Sequence, residues 1–224
     1  MILDAGLYLK RRKENPLTRY RLKRRIEKTI EMIKKYNSKN SNRSILDIGA
    51  ADGAMLSILK QQFELKSAIG VEPNENLIRA KKDIQVELIT ASGENLPFNK
   101  SQFGIVIISA VIEHVFNPEK VIEETYRVLS DDGILILITV VPWMDKLAEK
   151  FQIFPPTIHK HFYRFTLSEL KRLLEKNGFN VLHLSKFALP TSGFLLFEET
   201  IEKMLNKLHL DFFMTYELAV GAKI

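Results

Sequence analysis

The sequence contains no cysteine. That absence excludes thiolate zinc sites, iron–sulfur clusters, thiol nucleophiles and structural disulfides together. Nor does any run approach the ~20 apolar residues of a transmembrane helix. Ten Gly and eight Pro among 224 residues leave no low-complexity linker. With 46% hydrophobic and 27% charged residues, the composition is that of a globular chain rather than a disordered one. A single domain is expected at this length, burying roughly 70% of its unfolded surface, so the core needs no metal or disulfide staple. The start is apolar from Met1 to Leu9 and only then basic, Lys10-Arg11-Arg12-Lys13. This reverses the order of a signal peptide, and a cytoplasmic location is expected.

Charge is present but unevenly placed. Residues 1–44 carry fourteen Lys or Arg against four Asp or Glu, whereas the other 180 carry nineteen against twenty-three. Residues 1–42 therefore read as a basic helical arm or lid, and residues 43–224 as the body. A basic arm suits an anionic partner such as nucleic acid, a lipid headgroup or a phosphorylated substrate. The plain alternative is a solvated helix face.

From Leu17 to Tyr36, Leu22, Ile26, Ile30 and Ile33 recur at helical spacing. Strands are expected at 43–48, 67–71, 84–89, 104–109 and 133–141, with helices after the first strand, over 74–82 and over 118–129. Near-continuous Ile/Val runs separated by helices imply right-handed βαβ units and a parallel sheet covered on both faces. The pattern changes after Pro142. A loop rich in Pro and aromatics (151–165) precedes a helix opened by Thr166-Leu167-Ser168-Glu169, a capping-box spacing. A strand over 180–187, a helix over 194–208 and a strand over 212–222 suggest a closing antiparallel pair. The expected fold is a three-layer α/β/α, doubly wound, Rossmann-like sheet of seven mostly parallel strands with a C-terminal antiparallel strand.

The informative segment is Ile45-Leu46-Asp47-Ile48-Gly49-Ala50-Ala51-Asp52-Gly53. Gly49 permits a tight turn, small Ala50 and Ala51 let a ligand approach the backbone, and Asp52 is placed to cap the next helix. Glu72 ends the second strand, where a carboxylate can accept hydrogen bonds from two ribose hydroxyls. A turn that merely joins strand to helix is the plain alternative. The spacing is not the dinucleotide Gly-x-Gly-x-x-Gly.

With its Asp-x-Gly-x-Ala-x-Gly order, the segment resembles the first motif of the class I S-adenosylmethionine-dependent methyltransferases. The resemblance continues through Val71-Glu72-Pro73, Ser92-Gly93-Glu94-Asn95-Leu96-Pro97-Phe98, Ser109-Ala110-Val111-Ile112-Glu113-His114-Val115, Tyr126-Arg127-Val128-Leu129 and Phe165-Thr166 to Gly178-Phe179. It spans roughly residues 17–187 and is similar to the family's small-molecule (type 11, ubiquinone-methyltransferase-like) branch.

The resemblance implies S-adenosylmethionine as cofactor. Asp47, Gly49, Ala50, Ala51 and Gly53 would cradle its methionine part. Glu72, followed by Pro73, would hold the ribose, Ser92, Gly93 and Glu94 would run along the adenine, and Ser109 would close the site. Ser92 stands where the family commonly has Asp, which weakens the hydrogen bond to the adenine amine. Arg19 or Tyr20 of the arm would reach the cofactor carboxylate.

His114, oriented by Glu113, is the candidate base for a hydroxyl acceptor, and His159 and His161 are candidates for facing the acceptor. Each is equally read as an ordinary structural or surface histidine. The metal-binding Glu of the ubiquinone O-methyltransferase branch is replaced by Ala110, so no metal is expected. The motif for amide or base-amine methylation is missing, as is the Cys nucleophile of cytosine methylation. The acceptor is then a small molecule, glycan or lipid precursor, with RNA, suggested by the basic arm, as an alternative. Two further readings stay open: a catalytically silent cofactor- or partner-binding scaffold, and an NAD or nucleotide-sugar enzyme on the same sheet. Phe197, Ile201, Met204, Leu205 and Leu208 form one helical stripe, preceded by Phe194-Leu195-Leu196. The stripe serves as core, lines the acceptor site, pairs two subunits or touches a membrane surface.

Overall fold

The computed structural model describes residues 5–37, 42–80, 85–150, 161–190, 198–208 and 210–223. Two helices, α1 (Ala5–Glu14) and α2 (Pro16–Tyr36), precede the sheet. Then follow β1 (Ser44–Ile48), α3 (Ala54–Phe63), β2 (Ser67–Val71), α4 (Glu75–Arg79), β3 (Glu87–Ile89), β4 (Phe103–Ser109), α5 (Pro118–Val128) and β5 (Leu129–Val140). The chain closes with α6 (Pro142–Lys150), α7 (Leu167–Lys176), β6 (Phe179–Phe187), α8 (Glu198–Lys207), a 3-10 turn (Asp211–Phe213) and β7 (Tyr216–Lys223).

The seven strands lie in the order β3-β2-β1-β4-β5-β7-β6. The first five pair in parallel, and β7 is antiparallel to both β5 and β6. Alternate residues of each strand feed two cores. Ile45, Ile105, Ile107, Ile136 and Leu218 face α2 and α3, where they meet Ile26, Ile33, Leu56 and Leu59. Leu46, Ile48, Val106, Leu137 and Ala219 face α5 and α7, where they meet Val121, Ile122, Leu170 and Leu174. Every residue of β4 is buried, which explains its uninterrupted apolar run.

The arm folds onto the first of these faces. Ile26 and Ile33 enter its core, with Leu22 and Ile30 packed beside them. A buried ion pair ties the arm to the far end of the chain. Arg24 Nη2 donates to Glu202 Oε2 of α8 at 2.7 Å, and the same oxygen accepts from the Ala188 N–H at 3.0 Å. Arg24 also bonds Glu27 one turn along α2, at 2.6 Å.

Several elements depart from the expectation. Helix α1 carries no apolar stripe and gave no periodic signal. Helix α6 starts at Pro142, ahead of the aromatic loop. Strand β5 begins four residues early, because Ser130-Asp131-Asp132 extends it past a bulge opposite Phe103. Phe212 belongs to the 3-10 turn, so β7 starts at Tyr216. The beginnings of the strand expected at Ile84 and of the helix expected at Phe194 lie outside the described residues, as do Lys81 and Lys82. The capping box is present: the Thr166 N–H donates to Glu169 Oε2 at 2.8 Å, and Thr166 Oγ1 accepts from the Glu169 N–H at 3.4 Å. Among the described residues no helix is long and apolar enough to cross a membrane.

Candidate active site

The carboxyl ends of β1 and β4 lie under α1 and α2, with the end of β2 beside β1. After β1 the chain turns at Gly49, whose φ of +78° suits glycine, and whose added Cβ would lie 2.3 Å from a Val111 methyl. The Gly49 and Ala50 N–H groups donate to the Val71 carbonyl, at 2.8 and 3.1 Å. Ala51 adopts a left-handed φ of 52°, a conformation that strains a residue with a side chain. Its N–H donates to Glu72 Oε2 at 3.1 Å, while the Asn74 N–H donates to Glu72 Oε1 at 3.0 Å. Glu72 is thus held rigidly where the second strand ends.

Asp47 and Ser109 share the sheet face covered by α2. Burial pushes the Asp47 carboxyl up to about 7, opposed by the charge of Arg25 and reinforced by that of Glu72. Arg25 Nη1 spans the β4 end, donating to the Ser109 carbonyl at 3.0 Å and to its hydroxyl at 3.1 Å. A narrow recess of about 40 Å³ opens here. Asp47, Gly49, Ala50, Ala51 and Ser109 line its floor, and Tyr8, Arg12, Leu22 and Arg25 of the arm line its roof.

Two expectations are corrected here. Asp52 does not cap α3: Gly53 occupies the cap position without a side-chain bond. Asp52 instead forms a two-point ion pair with Arg12, drawing α1 down over the turn. Arg19 does not line the recess, because its guanidinium bonds the Lys13 carbonyl at the α1–α2 junction. Tyr20 is not among the lining residues either, and the arm residues that do face the recess include Arg25 and Arg12. Sequence reading missed them, although Arg25, three residues after Leu22, borders the apolar stripe where a cation is out of place.

The Ser92-Gly93-Glu94 turn sits beyond β3, bridged from Ser92 to Asn95. A Cβ on Gly93 would meet Ile48 at 2.7 Å, so this turn packs directly over the end of β1. Exposed Ser92 accepts from the Glu94 N–H at 3.2 Å, and Glu94 accepts from the Asn117 N–H at 2.7 Å. Pro73 is exposed beside Glu72.

On the other side of the β4 end, Ala110 turns with a left-handed φ of 58° and delivers Glu113 and His114 to the edge of β5. Glu113 is 2% exposed. Its Oε2 accepts from Thr139 Oγ1 at 3.1 Å, and its carbonyl accepts from the Phe162 N–H at 2.8 Å. His114 and His161 meet edge to face, 4.6 Å between centroids. Glu113, His114 and His161 each offer a ligand atom within 4.8 Å of the others, so the trio could hold a metal ion. His159 lies outside the described residues.

A family model described as "Methyltransferase domain" matches residues 18–184 of the chain. The chain belongs to this methyltransferase family. An uncharacterised protein of Methanocaldococcus jannaschii is 32% identical over 108 residues, 48% of each chain. A ubiquinone/menaquinone biosynthesis C-methyltransferase of Campylobacter jejuni is 32% identical over 101 residues, 42% of this chain and 43% of that protein. The chain thus spans about half the length of the curated relatives it matches. The structure of phosphoethanolamine N-methyltransferase 2 from Haemonchus contortus aligns with a TM-score of 0.64 at 16% identity, over 88% of this chain and 52% of that one. That likeness is one of fold. The methyltransferase domain has S-adenosylmethionine as its cofactor, and the buried Asp47 carboxyl and the Arg25 guanidinium facing it are of the right charge for the cofactor's ammonium and carboxylate.

Proposed function

We propose that the chain transfers the methyl group of S-adenosylmethionine directly to a small-molecule, glycan or lipid-precursor acceptor. One observation carries this reading: the recess joins a tight glycine turn, a buried Asp47 and a cationic roof at the carboxyl edge of the sheet, where open α/β folds bind ligands. The cofactor, when bound, supplies an electrophilic methyl on a sulfonium that departs as a neutral thioether.

The chain's own residues supply binding and alignment. Gly49, Ala50, Ala51 and Gly53 present the turn, and Asp47 matches the cofactor ammonium. Arg25 matches the carboxylate, Glu72 the ribose hydroxyls, and the Ser92–Glu94 turn the adenine. Pro73 and Ser109 complete the wall. Alignment of acceptor, methyl and sulfur supplies much of the acceleration, and no step of the transfer as proposed calls on a metal. For a hydroxyl acceptor, His114 takes the proton, with Glu113 beside it and His161 packed against its ring.

The arm acts as a lid in this reading. Several of its cations are engaged by acids of the same chain, Arg12 by Asp52, Arg24 by Glu27 and Glu202, and Lys28 by Glu31. That engagement favours a lid over an RNA-binding arm. A mobility-shift series checks it: RNA binding that weakens steeply with salt would restore the nucleic-acid role.

The test of the main reading is calorimetric titration with S-adenosylmethionine and with NAD, followed by an acceptor screen reading release of S-adenosylhomocysteine. Binding of the first and not the second, with turnover on one acceptor class, is the expected result. Cofactor binding without turnover on any acceptor would favour a silent scaffold, the reading that the uncharged Ser92 supports.

A further inference from the structure

On the α5–α7 side of the sheet the carboxyl edge holds polar groups that the cofactor reading leaves without a task. Glu217 lies directly opposite Thr139 across the β5–β7 ladder, which puts their side chains on one face about 5 Å apart at Cβ. Thr139 in turn donates to Glu113. Two carboxylates, each 2% exposed, therefore flank one threonine. Each retains an oxygen with no hydrogen-bond partner, Oε1 of Glu113 and Oε2 of Glu217. Thr215, two residues before Glu217 and also 2% exposed, adds a hydroxyl without a partner.

Buried carboxylates are ordinarily paired with a cation or fully hydrogen-bonded, because desolvation of the charge is expensive. Among the described residues no Lys or Arg forms an ion pair with either one. Lys186 faces Glu217 across the β6–β7 ladder, but its ammonium lies 3.8 Å from Asp211. Burial pushes Glu217 up to about 7, with Glu169 and Asp211 adding to the rise and Lys186 opposing it. The α5–α7 side of the edge therefore holds excess acceptor capacity in the residue next to His114 and across Thr139 from it.

We infer that Glu113, Glu217 and Thr215 form the acceptor subsite, and that it takes a cationic amine group of the acceptor. The inference rests on the methyltransferase reading and gives that site its substrate class. A protonated amine offers three donors and one positive charge, which matches two orphan carboxylate oxygens and a hydroxyl. A neutral alcohol would leave the charge uncompensated. A divalent cation would draw on Glu113, His114 and His161 and make no use of Glu217.

The experiment uses the full chain saturated with S-adenosylhomocysteine, titrated at pH 8 with putrescine, n-butylamine, 1-butanol, MgCl2 and ZnCl2. Melting temperature and calorimetric heat are the readouts. The two amines are expected to raise the melting temperature by a few degrees while butanol does nothing. Glu113→Gln and Glu217→Gln should each weaken amine binding about tenfold, and the double variant should abolish it. S-adenosylhomocysteine affinity, measured on every variant, reports that the fold and the cofactor site are intact. An equal response to butanol and amine would overturn the inference, as would a metal-only response or amine binding that survives both substitutions. Failure to bind S-adenosylhomocysteine would instead sink the methyltransferase reading, so the two failures are distinct.

Discussion

The carboxyl edge of this sheet buries acidic groups on both faces, and the two faces treat them differently. On the α2 side Asp47 has Arg25 facing it, Glu72 is clamped by two backbone N–H groups, and Asp52 is held by Arg12. On the α7 side Glu113 and Glu217 keep orphan oxygens. The α2 side has its own counter-charges, Arg12 and Arg25, carried by the arm. The other side leaves compensation to whatever binds there. Preorganised charge suits a cofactor common to a whole family, whereas an uncompensated edge suits the partner that distinguishes one member from another.

The largest effect is expected from breaking the compensated side. Glu72→Ala should weaken S-adenosylmethionine binding by roughly 2–4 kcal/mol in calorimetry, through two lost charge-assisted bonds and a loosened Ala51 turn. Unchanged affinity would remove the ribose assignment. Arg25→Ala should cost about 1.5–3 kcal/mol in S-adenosylhomocysteine binding. The affinity of 5′-methylthioadenosine, which has no carboxylate, should hardly move. Equal losses on both ligands would mean that Arg25 only shapes the fold.

The pH dependence of stability sharpens the contrast. Asp47 and Glu217 are both pushed up to about 7 in the folded chain, above their unfolded values near 4. The folded state therefore binds more protons over this window, so stability falls as pH rises from about 4 to 7 and the loss is complete above about 7. Glu217→Gln removes a charge that has no partner. In the ligand-free chain it should raise stability by on the order of 1–2 kcal/mol at pH 8 and by nothing at pH 4, read from urea denaturation at the two values. A gain that is the same at both would show that packing, not charge, sets its effect. The smallest change concerns Ala51, whose φ of 52° strains a side-chain-bearing residue. Ala51→Gly should stabilise the fold by about 1 kcal/mol at most, measured by thermal melting.

What the sequence reveals follows the range of the interaction involved. Strands β1, β2 and β4, the Thr166–Glu169 capping box and the antiparallel closure are written in neighbouring residues, and the structure bears them out. So is the turn after β1, with its run of small residues. The Asp52–Arg12 pair joins residues forty positions apart, so local reading assigned Asp52 to the nearest available N–H groups instead. Helix α1 has no buried residue and therefore no periodicity to detect. Glu217 carries a trace of its own: a lone acid within the buried part of β7. Arg25 left a similar trace on the margin of the α2 stripe.

The Arg24–Glu202 contact has a bearing on how the chain is made. Its two halves are separated by 178 positions, and at about 5–20 residues per second the ribosome completes Glu202 roughly 9–36 seconds after Arg24. Throughout that interval the guanidinium has a local companion in Glu27, delivered within one helical turn. The arm can thus coil as soon as it emerges and wait in the correct register. Its docking against α8 then waits for translation of that helix, and β7, made later still, completes the sheet beneath the arm.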